Sequence, residues 1–269
     1  MSRFLTAVGS AVGLVLLMAL PARAAHVVAR CSAPEELTRF RVALPKTAQA
    51  IRQRHPLVIV AIGSSSTRGI GASDPAHAYP AVLADELRRR WPGLSVTVIN
   101  RGVSGERVSG ALDRLERDVL FHRPQLVIWQ TGSHAALGAA DVQSYVDAIR
   151  QGIERLKAGG LDVVLMDPQF APSVLARPVH ARVVDAIGAV GGDTQVAVFR
   201  RFAIMHHWIA SGQYRMDDVI SPDGLHLNDV SYGCIARLLA DGLASAARVD
   251  PSPDGGPSIA EKSPRPRQR

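Results

Sequence analysis

Five apolar segments rich in valine and isoleucine recur along the chain, and helix-like segments separate them. The apolar segments are PLVIVAIG (56–63), LSVTVIN (94–100), PQLVIWQ (124–130), LDVVLMD (161–167) and TQVAVF (194–199). They are continuous runs without polar alternation, which is typical of parallel strands covered on both faces. The helix-like segments are 79–91, 108–120, 141–159 and 173–190, with a last one near 229–248. The pattern predicts a three-layer α/β/α sandwich around a mostly parallel five-stranded sheet.

The first 24 residues have the composition of an export signal. Arg3 precedes an apolar stretch, and Ala22-Arg23-Ala24 matches a small-x-small cleavage site. We therefore expect a signal peptide over residues 1–24 and a periplasmic or secreted mature protein. The apolar stretch is also near the lower length limit for a membrane span, so an uncleaved anchor is the alternative.

The rest of the chain divides into three parts by composition. Residues 25–55 are polar and moderately helical, and we expect this lead-in to pack on the domain formed by residues 56–248. Residues 249–269 are basic, rich in Pro, Gly and Ser, and nearly devoid of apolar side chains, which predicts a disordered tail.

Charge and cysteine content bound the possible partners. The net charge is +7, without the block of Lys and Arg interleaved with aromatic residues that marks nucleic-acid binders. The two cysteines, Cys31 and Cys234, fit either a disulfide in an exported protein or two buried thiols. Their spacing matches no metal site, and we expect neither a metal nor an organic cofactor.

The first apolar segment ends in Gly63-Ser64-Ser65-Ser66-Thr67. Ligand sites of open parallel sheets lie at the carboxyl ends of the strands, so these serines are candidates for function. A phosphate-binding loop is disfavoured, because no Lys-Ser/Thr follows at the required spacing and the glycines do not form G-x-G-x-x-G. The remaining interpretations are a nucleophilic serine and an ordinary polar turn.

Three further segments fall at the same predicted edge of the sheet. NRGVSGE contains Gly105, QTGSH contains His134, and PDGLHLN contains Asp223 and His226 three residues apart. Each segment alone also fits a common turn or helix cap. Together they supply a nucleophile, N–H donors for an oxyanion, and an imidazole base with a carboxylate to orient it.

From about Leu57 to Ala246, this set of segments resembles the SGNH/GDSL hydrolases, a family of esterases with a flavodoxin-like α/β fold. The resemblance implies that Ser65 is the nucleophile and that Asp223 and His226 complete its triad. It also implies that Gly105 contributes an N–H to the oxyanion hole, beside the N–H of Ser65. Asp-x-x-His is the most specific of these matches.

Two positions depart from the family pattern. Ser64 stands where the family has Asp beside the nucleophile, which alters the hydrogen bonds of the turn but removes no catalytic group. His134 stands where the family has the Asn of the oxyanion hole. Loss of one such donor typically costs ~2.7–4 kcal/mol of transition-state stabilisation, so the effect of His134 depends on whether its ring can donate.

The resemblance implies an exported serine esterase that removes short acyl groups, acetyl above all, from a carbohydrate. The expected partner is a small ester or an O-acylated carbohydrate, with no nucleic acid and no stable membrane insertion after signal cleavage. Two alternatives use the same fold: an acyltransferase with the same triad, and a carbohydrate-binding relative without catalysis. The sequence gives no indication of the oligomeric state.

Overall fold

The computed structural model describes residues 31–138 and 141–248. The segments expected to form the signal peptide (1–24) and the disordered tail (249–269) lie outside these ranges, as do residues 25–30 of the lead-in. Within the described ranges, no helix combines the length and apolar character that crossing a bilayer requires.

A five-stranded sheet forms the centre of the fold, with the strand order β2-β1-β3-β4-β5 and every neighbouring pair parallel. The strands are β1 (Leu57–Gly63), β2 (Val96–Gly102), β3 (Leu126–Gln130), β4 (Asp162–Met166) and β5 (Ala197–Phe199). The expected α/β fold with a parallel five-stranded sheet is thus confirmed. All residues of β3 and β4 are buried, whereas β2 lies at an edge and exposes Thr97 and Asn100.

The strand β5 is shorter than its apolar segment predicts. Gln195 has a φ of +51°, in the left-handed region, and the N–H of Val196 donates to Gly191 O over 2.8 Å. These residues therefore close the end of the preceding helix, as in a helix C-terminal turn. Only the segment after Val196 is free to pair with β4.

Helices cover both faces of the sheet. In chain order they are α1 (Glu35–Thr38), α2 (Pro45–Gln53), α3 (Ser65–Arg68), α4 (Tyr79–Arg90), α5 (Val108–Asp113), α6 (Leu115–Asp118), α7 (Ser133–Leu137), α8 (Val142–Ala158), α9 (Pro172–Leu175), α10 (His180–Asp193), α11 (Arg201–Ala210), α12 (Met216–Val219) and α13 (Asp229–Arg248). One layer contains α2, α4 and α13, and the other contains α5, α8 and α10. Short 3-10 turns occupy Pro75–His77 and Leu120–His122.

Two of the predicted helices are divided. The segment 108–120 forms α5 and α6, with Arg114 between them at φ −110° and ψ 4°. The segment 173–190 forms α9 and α10, because Pro178 disfavours a helical conformation at the residue before it. The helix α11 was not expected, since its residues follow β5 without a clear helix-start signal.

The lead-in packs against the end of the sheet where the strands begin, called the amino edge here. The backbone N–H and the hydroxyl of Thr47, on α2, both donate to Asp162 Oδ2 over 2.8 Å. The indole of Trp208 donates to Ser32 O over 2.9 Å. Cys31 is joined to Cys234 of α13 by a disulfide, with the Cα atoms 5.0 Å apart. This bond links the start of the described chain to its last helix.

Candidate active site

The strand order places a crevice between the carboxyl ends of β1 and β3. The chain proceeds from β1 outward to β2 in one direction and from β3 to β5 in the other, so the connections diverge at this point. Crevices of this kind are the usual ligand sites of open α/β sheets. Ser65 follows β1 at this position, Gln130 is the last residue of β3, and the segment containing His134 follows it.

The serine-rich segment forms a sharp strand-to-helix turn. The strand β1 ends at Gly63, Ser64 precedes the helix, and Ser65 is the first residue of α3. The backbone of β2 approaches this turn closely: a Cβ added to Gly102 would lie 2.1 Å from Arg68 N. Only glycine at position 102 leaves room for the turn, which places Ser65 at the sheet edge with its side chain partly exposed.

Ser65, His226 and Asp223 form one hydrogen-bonded set. The distance between Ser65 Oγ and His226 Nε2 is 2.8 Å, and that between His226 Nδ1 and Asp223 Oδ2 is 2.5 Å. Because Nδ1 faces a carboxylate, it carries the ring proton, and Nε2 accepts from the serine hydroxyl. In this arrangement a hydroxyl can lose its proton to the ring as its oxygen attacks an electrophile.

The Asp223 carboxylate is held in its charged form. Its Oδ1 accepts from the N–H groups of Leu225 and His226, each over 2.9 Å. Partial burial by itself would raise the pKa of Asp223, but the hydrogen bonds from the His226 ring and from these N–H groups lower it below its ordinary value. The charged carboxylate therefore fixes the tautomer and orientation of the imidazole near neutral pH.

Local contacts fix the loop that carries Asp223 and His226. Ile220 and Leu227 form an antiparallel bridge, and the N–H of Ser221 donates to His226 O over 2.8 Å. Asn228 accepts from the N–H of Ser231 over 3.2 Å and caps α13. A Cβ added to Gly71 would lie 2.2 Å from Leu227 O, so the loop after α3 packs directly against this segment.

Gly105, in a loop, and His134, at the start of α7, lie at the same edge, and within the described residues neither is hydrogen-bonded to Ser65. Gly105 is exposed, with φ at +75°, in the loop between β2 and α5. Arg114 fixes this loop, because its guanidinium donates to Arg101 O over 2.8 Å and is paired with Glu106.

His134 lies in the first turn of α7 and is partly buried. Desolvation, followed by the charge of Arg107, lowers the pKa of His134 below its ordinary value. The ring is therefore neutral at pH 7, with one N–H that can donate.

A series of hydrogen bonds through buried side chains connects the turn that carries Ser65 to the loop that carries Asp223 and His226. Gln130 Oε1 accepts from both the N–H and the hydroxyl of Ser64, each over 2.9 Å, and Gln130 Nε2 donates to Ser133 Oγ over 3.0 Å. Ser133 donates to Gln169 Oε1 over 2.8 Å. Gln169 Nε2 then donates over 3.0 Å to the carbonyl of Leu225, the residue before His226.

The hydrogen-bond partners of Gln130 and Gln169 allow only one orientation of each side-chain amide. Gln169 Oε1 also accepts from Arg201 Nη2 over 3.0 Å, while its Nε2 faces a carbonyl oxygen. Gln130 is 2 % exposed and Gln169 is 1 % exposed. Both glutamine amides are hydrogen-bonded through oxygen and nitrogen, which holds the turn that carries Ser65 and the loop that carries His226 in a fixed arrangement. Arg201 Nη1 is buried without a partner among the described residues.

The sequence does not indicate these hydrogen bonds. Gln130 is the polar end of an apolar segment and Gln169 follows β4 at the same edge, but neither position identifies a partner. Ser64, which stands where the SGNH/GDSL hydrolases have Asp, joins the turn to Gln130.

Among the described residues, no group of three or more His, Cys, Asp or Glu side chains is arranged to hold a metal ion. The reactive groups that the structure does bring together at this edge are a hydroxyl, an imidazole and a carboxylate.

Comparison with known proteins relates this fold to esterases. The model of the non-GDSL lipase-like family matches residues 30–249. An arylesterase of Vibrio mimicus is 27% identical over 165 residues, which cover 61% of this chain and 78% of that protein.

Two solved structures have the same fold at low sequence identity. A two-domain esterase active on acetylated mannans has a TM-score of 0.64 at 18% identity, and the match covers 78% of this chain but only 56% of that one. The acetylxylan esterase Axe2 of Geobacillus stearothermophilus has a TM-score of 0.58 at 18% identity, with coverage of 70% and 94%. The fold expected from the resemblance to the SGNH/GDSL hydrolases is supported, and the family that matches is a non-GDSL lipase-like one.

Proposed function

Since this chain belongs to the non-GDSL lipase-like family, we propose that it is a serine esterase that hydrolyses carboxylic esters through an acyl-enzyme. The observation that carries the proposal is the continuous set of hydrogen bonds from Ser65 through His226 to Asp223. The esterase relatives support the reaction class. Nucleophile, base and orienting acid are the groups that two-step acyl transfer requires.

In the first step, Ser65 Oγ forms a bond to the ester carbonyl carbon while its proton passes to His226 Nε2. Asp223 stabilises the imidazolium that results. The tetrahedral intermediate then breaks its bond to the alcohol oxygen, which takes the proton from His226. In the second step, water attacks the acyl-enzyme, gives its proton to His226, and releases the carboxylic acid as Ser65 recovers its proton.

The oxyanion of the tetrahedral intermediate requires N–H donors at this edge of the sheet. The N–H of Ser65 lies at the start of α3, where backbone donors have no acceptor within the helix. We assign the second donor to Gly105, whose loop is fixed by Arg114, and the third to the neutral ring of His134. A positioned donor typically contributes ~2.7–4 kcal/mol to catalysis.

We further propose that the substrate is an O-acylated carbohydrate or another small ester, and that the protein acts outside the cytoplasm. The substrate proposal is supported by two structural neighbours whose names refer to acetylated mannans and acetylxylan. The location proposal rests on the composition of residues 1–24. An acyltransferase would use the same residues, with a sugar hydroxyl in place of water in the second step.

A fluorophosphonate probe tests the central assignment. Such a probe phosphonylates an activated serine, so we expect one covalent adduct per chain, mapped by peptide mass spectrometry to Ser65. Prior unfolding in denaturant is the control, because labelling requires the hydrogen bond to His226. A folded protein that stays unlabelled at Ser65 would instead be a binding relative without catalysis.

A further inference from the structure

A cavity of about 360 Å³ lies beside the turn that carries Ser65. Its lining includes His134 and the two residues that precede Ser65 in the chain, Gly63 and Ser64. Other lining residues come from α5 and α8. A cavity of about 150 Å³ is enough to bind benzene, so this one is far larger than a two-carbon acetyl group needs.

Most of the surface of this cavity is apolar, although polar residues also line it. Its walls include six side chains that present carbon atoms, namely Val108, Ala111, Trp129, Ala135, Tyr145 and Ala148. Three of the six are alanines.

Most of the polar side chains in the walls are already hydrogen-bonded within the protein, including Glu106, which is paired with Arg114. Tyr145 Oη lies 3.1 Å from Thr131 Oγ1, and Ser144 Oγ donates to Asp141 over 2.6 Å. Gln130 donates to Ser133, and Ser133 donates to Gln169, as described above. A ligand in this cavity therefore gains from burying apolar surface more than from new hydrogen bonds.

Two lining residues, His134 and the exposed Arg107, differ in character from the apolar walls. Arg107 carries a positive charge that acts on the His134 ring, and the neutral ring has an N–H. Ser64, which precedes Ser65 in the chain, also lines the cavity, whereas Ser65 itself does not. An ester carbonyl beside His134 would place its oxygen toward an N–H donor and its acyl chain toward the apolar walls.

We propose that this cavity binds the acyl group of the substrate and that it selects an apolar acyl chain of about six to eight carbons, or a single aromatic ring, over acetyl. The inference rests on the proposed esterase function and specifies the acyl side of its substrate. Each methylene that enters the cavity adds about 0.8 kcal/mol of burial, or roughly fourfold in kcat/KM.

A series of p-nitrophenyl esters tests the selectivity. We expect kcat/KM to rise from acetate to hexanoate by about tenfold or more, and to fall again once the chain exceeds the length of the cavity. A profile that declines steadily from acetate would overturn the proposal, while leaving the esterase assignment in place.

Filling the cavity provides the matched variant. Ala148→Phe adds a ring from α8, and Val108→Trp adds one from α5, in case the first variant does not fold. We expect each to lower the ratio of kcat/KM for hexanoate to that for acetate by about tenfold or more. Ala158→Phe, at the exposed end of the same helix, is the control and should change neither. Equal losses for both esters would contradict the assignment.

A binding measurement separates this inference from the proposed function. Octanoate resembles the acid product and needs no catalysis, so its affinity can be measured by calorimetry even if the protein hydrolyses no ester. The wild-type protein should bind octanoate at least about tenfold more tightly than acetate, and Ala148→Phe should remove that difference. Equal affinities in the wild-type protein would overturn the proposal.

Discussion

The strand β4 begins with the buried Asp162 and is followed by the buried Asp167, and the two carboxylates lie at opposite edges of the sheet. Burial raises the pKa of both, that of Asp167 to about 7. At the amino edge, Asp162 accepts two hydrogen bonds from Thr47 on α2. At the carboxyl edge, Asp167 Oδ1 accepts from the N–H of Phe202 over 2.8 Å.

The hydrogen-bond partners of the two aspartates belong to different parts of the fold. Thr47 and Asp162 bond to each other and hold the lead-in against the sheet. At the other edge, Arg201 donates both to Asp167 O and to Gln169, and Gln169 continues to the loop that carries His226. Similar buried hydrogen bonds thus secure the fold at one edge and position candidate reactive groups at the other. Variants at each edge can test this division of roles.

The largest effect is expected at Ser65, the proposed nucleophile. Ser65→Ala removes the nucleophile, and loss of such a residue in a serine hydrolase lowers kcat by about 10⁶-fold. The variant should keep the wild-type free energy of unfolding, because Ser65 is partly exposed. Steady-state hydrolysis of a p-nitrophenyl ester, with urea denaturation in parallel, provides both measurements.

Ser66→Ala is the matched control for that experiment. Ser66 is 1 % exposed, and its Oγ has no hydrogen-bond partner among the described residues. Its loss should leave kcat within about threefold of wild type, since an unpaired hydroxyl supports no contact in the turn. If the two variants lost activity equally, Ser65 would not be the nucleophile.

The next largest effect is expected at Asp223. Asp223→Asn keeps the Oδ1 acceptor for the N–H groups of Leu225 and His226. Its amide places N–H against His226 Nδ1, which favours the wrong ring tautomer, so kcat should fall by about 10⁴-fold. Ester hydrolysis across pH 6 to about 9 measures the effect; a loss below about tenfold would show that Asp223 does not orient the base.

The contrast between the two edges is tested directly by Gln169→Leu and Thr47→Val. Gln169→Leu removes the link to Leu225 O, and misplacement of reacting groups by about 1 Å can lower kcat by about 10²-fold. Thr47→Val removes the hydroxyl bond to Asp162 and should lower the free energy of unfolding by about 1–3 kcal/mol without changing kcat.

Both variants are followed by kcat, KM and urea denaturation. A wild-type kcat in folded Gln169→Leu would show that the hydrogen bonds of Gln169 serve stability alone. A reduced kcat in Thr47→Val would show that the amino edge also affects the candidate site, and the division between the edges would be wrong.

The two edges also differ in how far the sequence could predict them. Strand positions follow from apolar runs, and parallel pairing brings the residues after β1, β2 and β3 to one edge. Asp223 and His226 follow no strand, and it is the resemblance of Asp-x-x-His to a family motif that predicts their place beside Ser65. The pairing of Gln169 with Ser133 and Leu225 depends on side-chain directions across three loops. No spacing in the sequence encodes those directions. The shortening of β5 likewise depends on the left-handed conformation of Gln195. Because Gln195 is not a residue type that favours this conformation, the sequence does not predict it.

The smallest effect is expected in the pH dependence of stability at the carboxyl edge. Burial raises the pKa of Asp167 from 3.8 to about 7, so the folded state favours its protonated form. The stability that this preference contributes is present at pH values below about 4 and is lost as pH rises toward about 7. Asp167→Asn keeps an acceptor for the N–H of Phe202 but cannot titrate. Relative to wild type, its urea midpoint should therefore rise between pH 4 and 8. A constant difference between the two proteins would mean that Asp167 is charged throughout, and that Arg201 lies against a carboxylate at the edge that carries the candidate site.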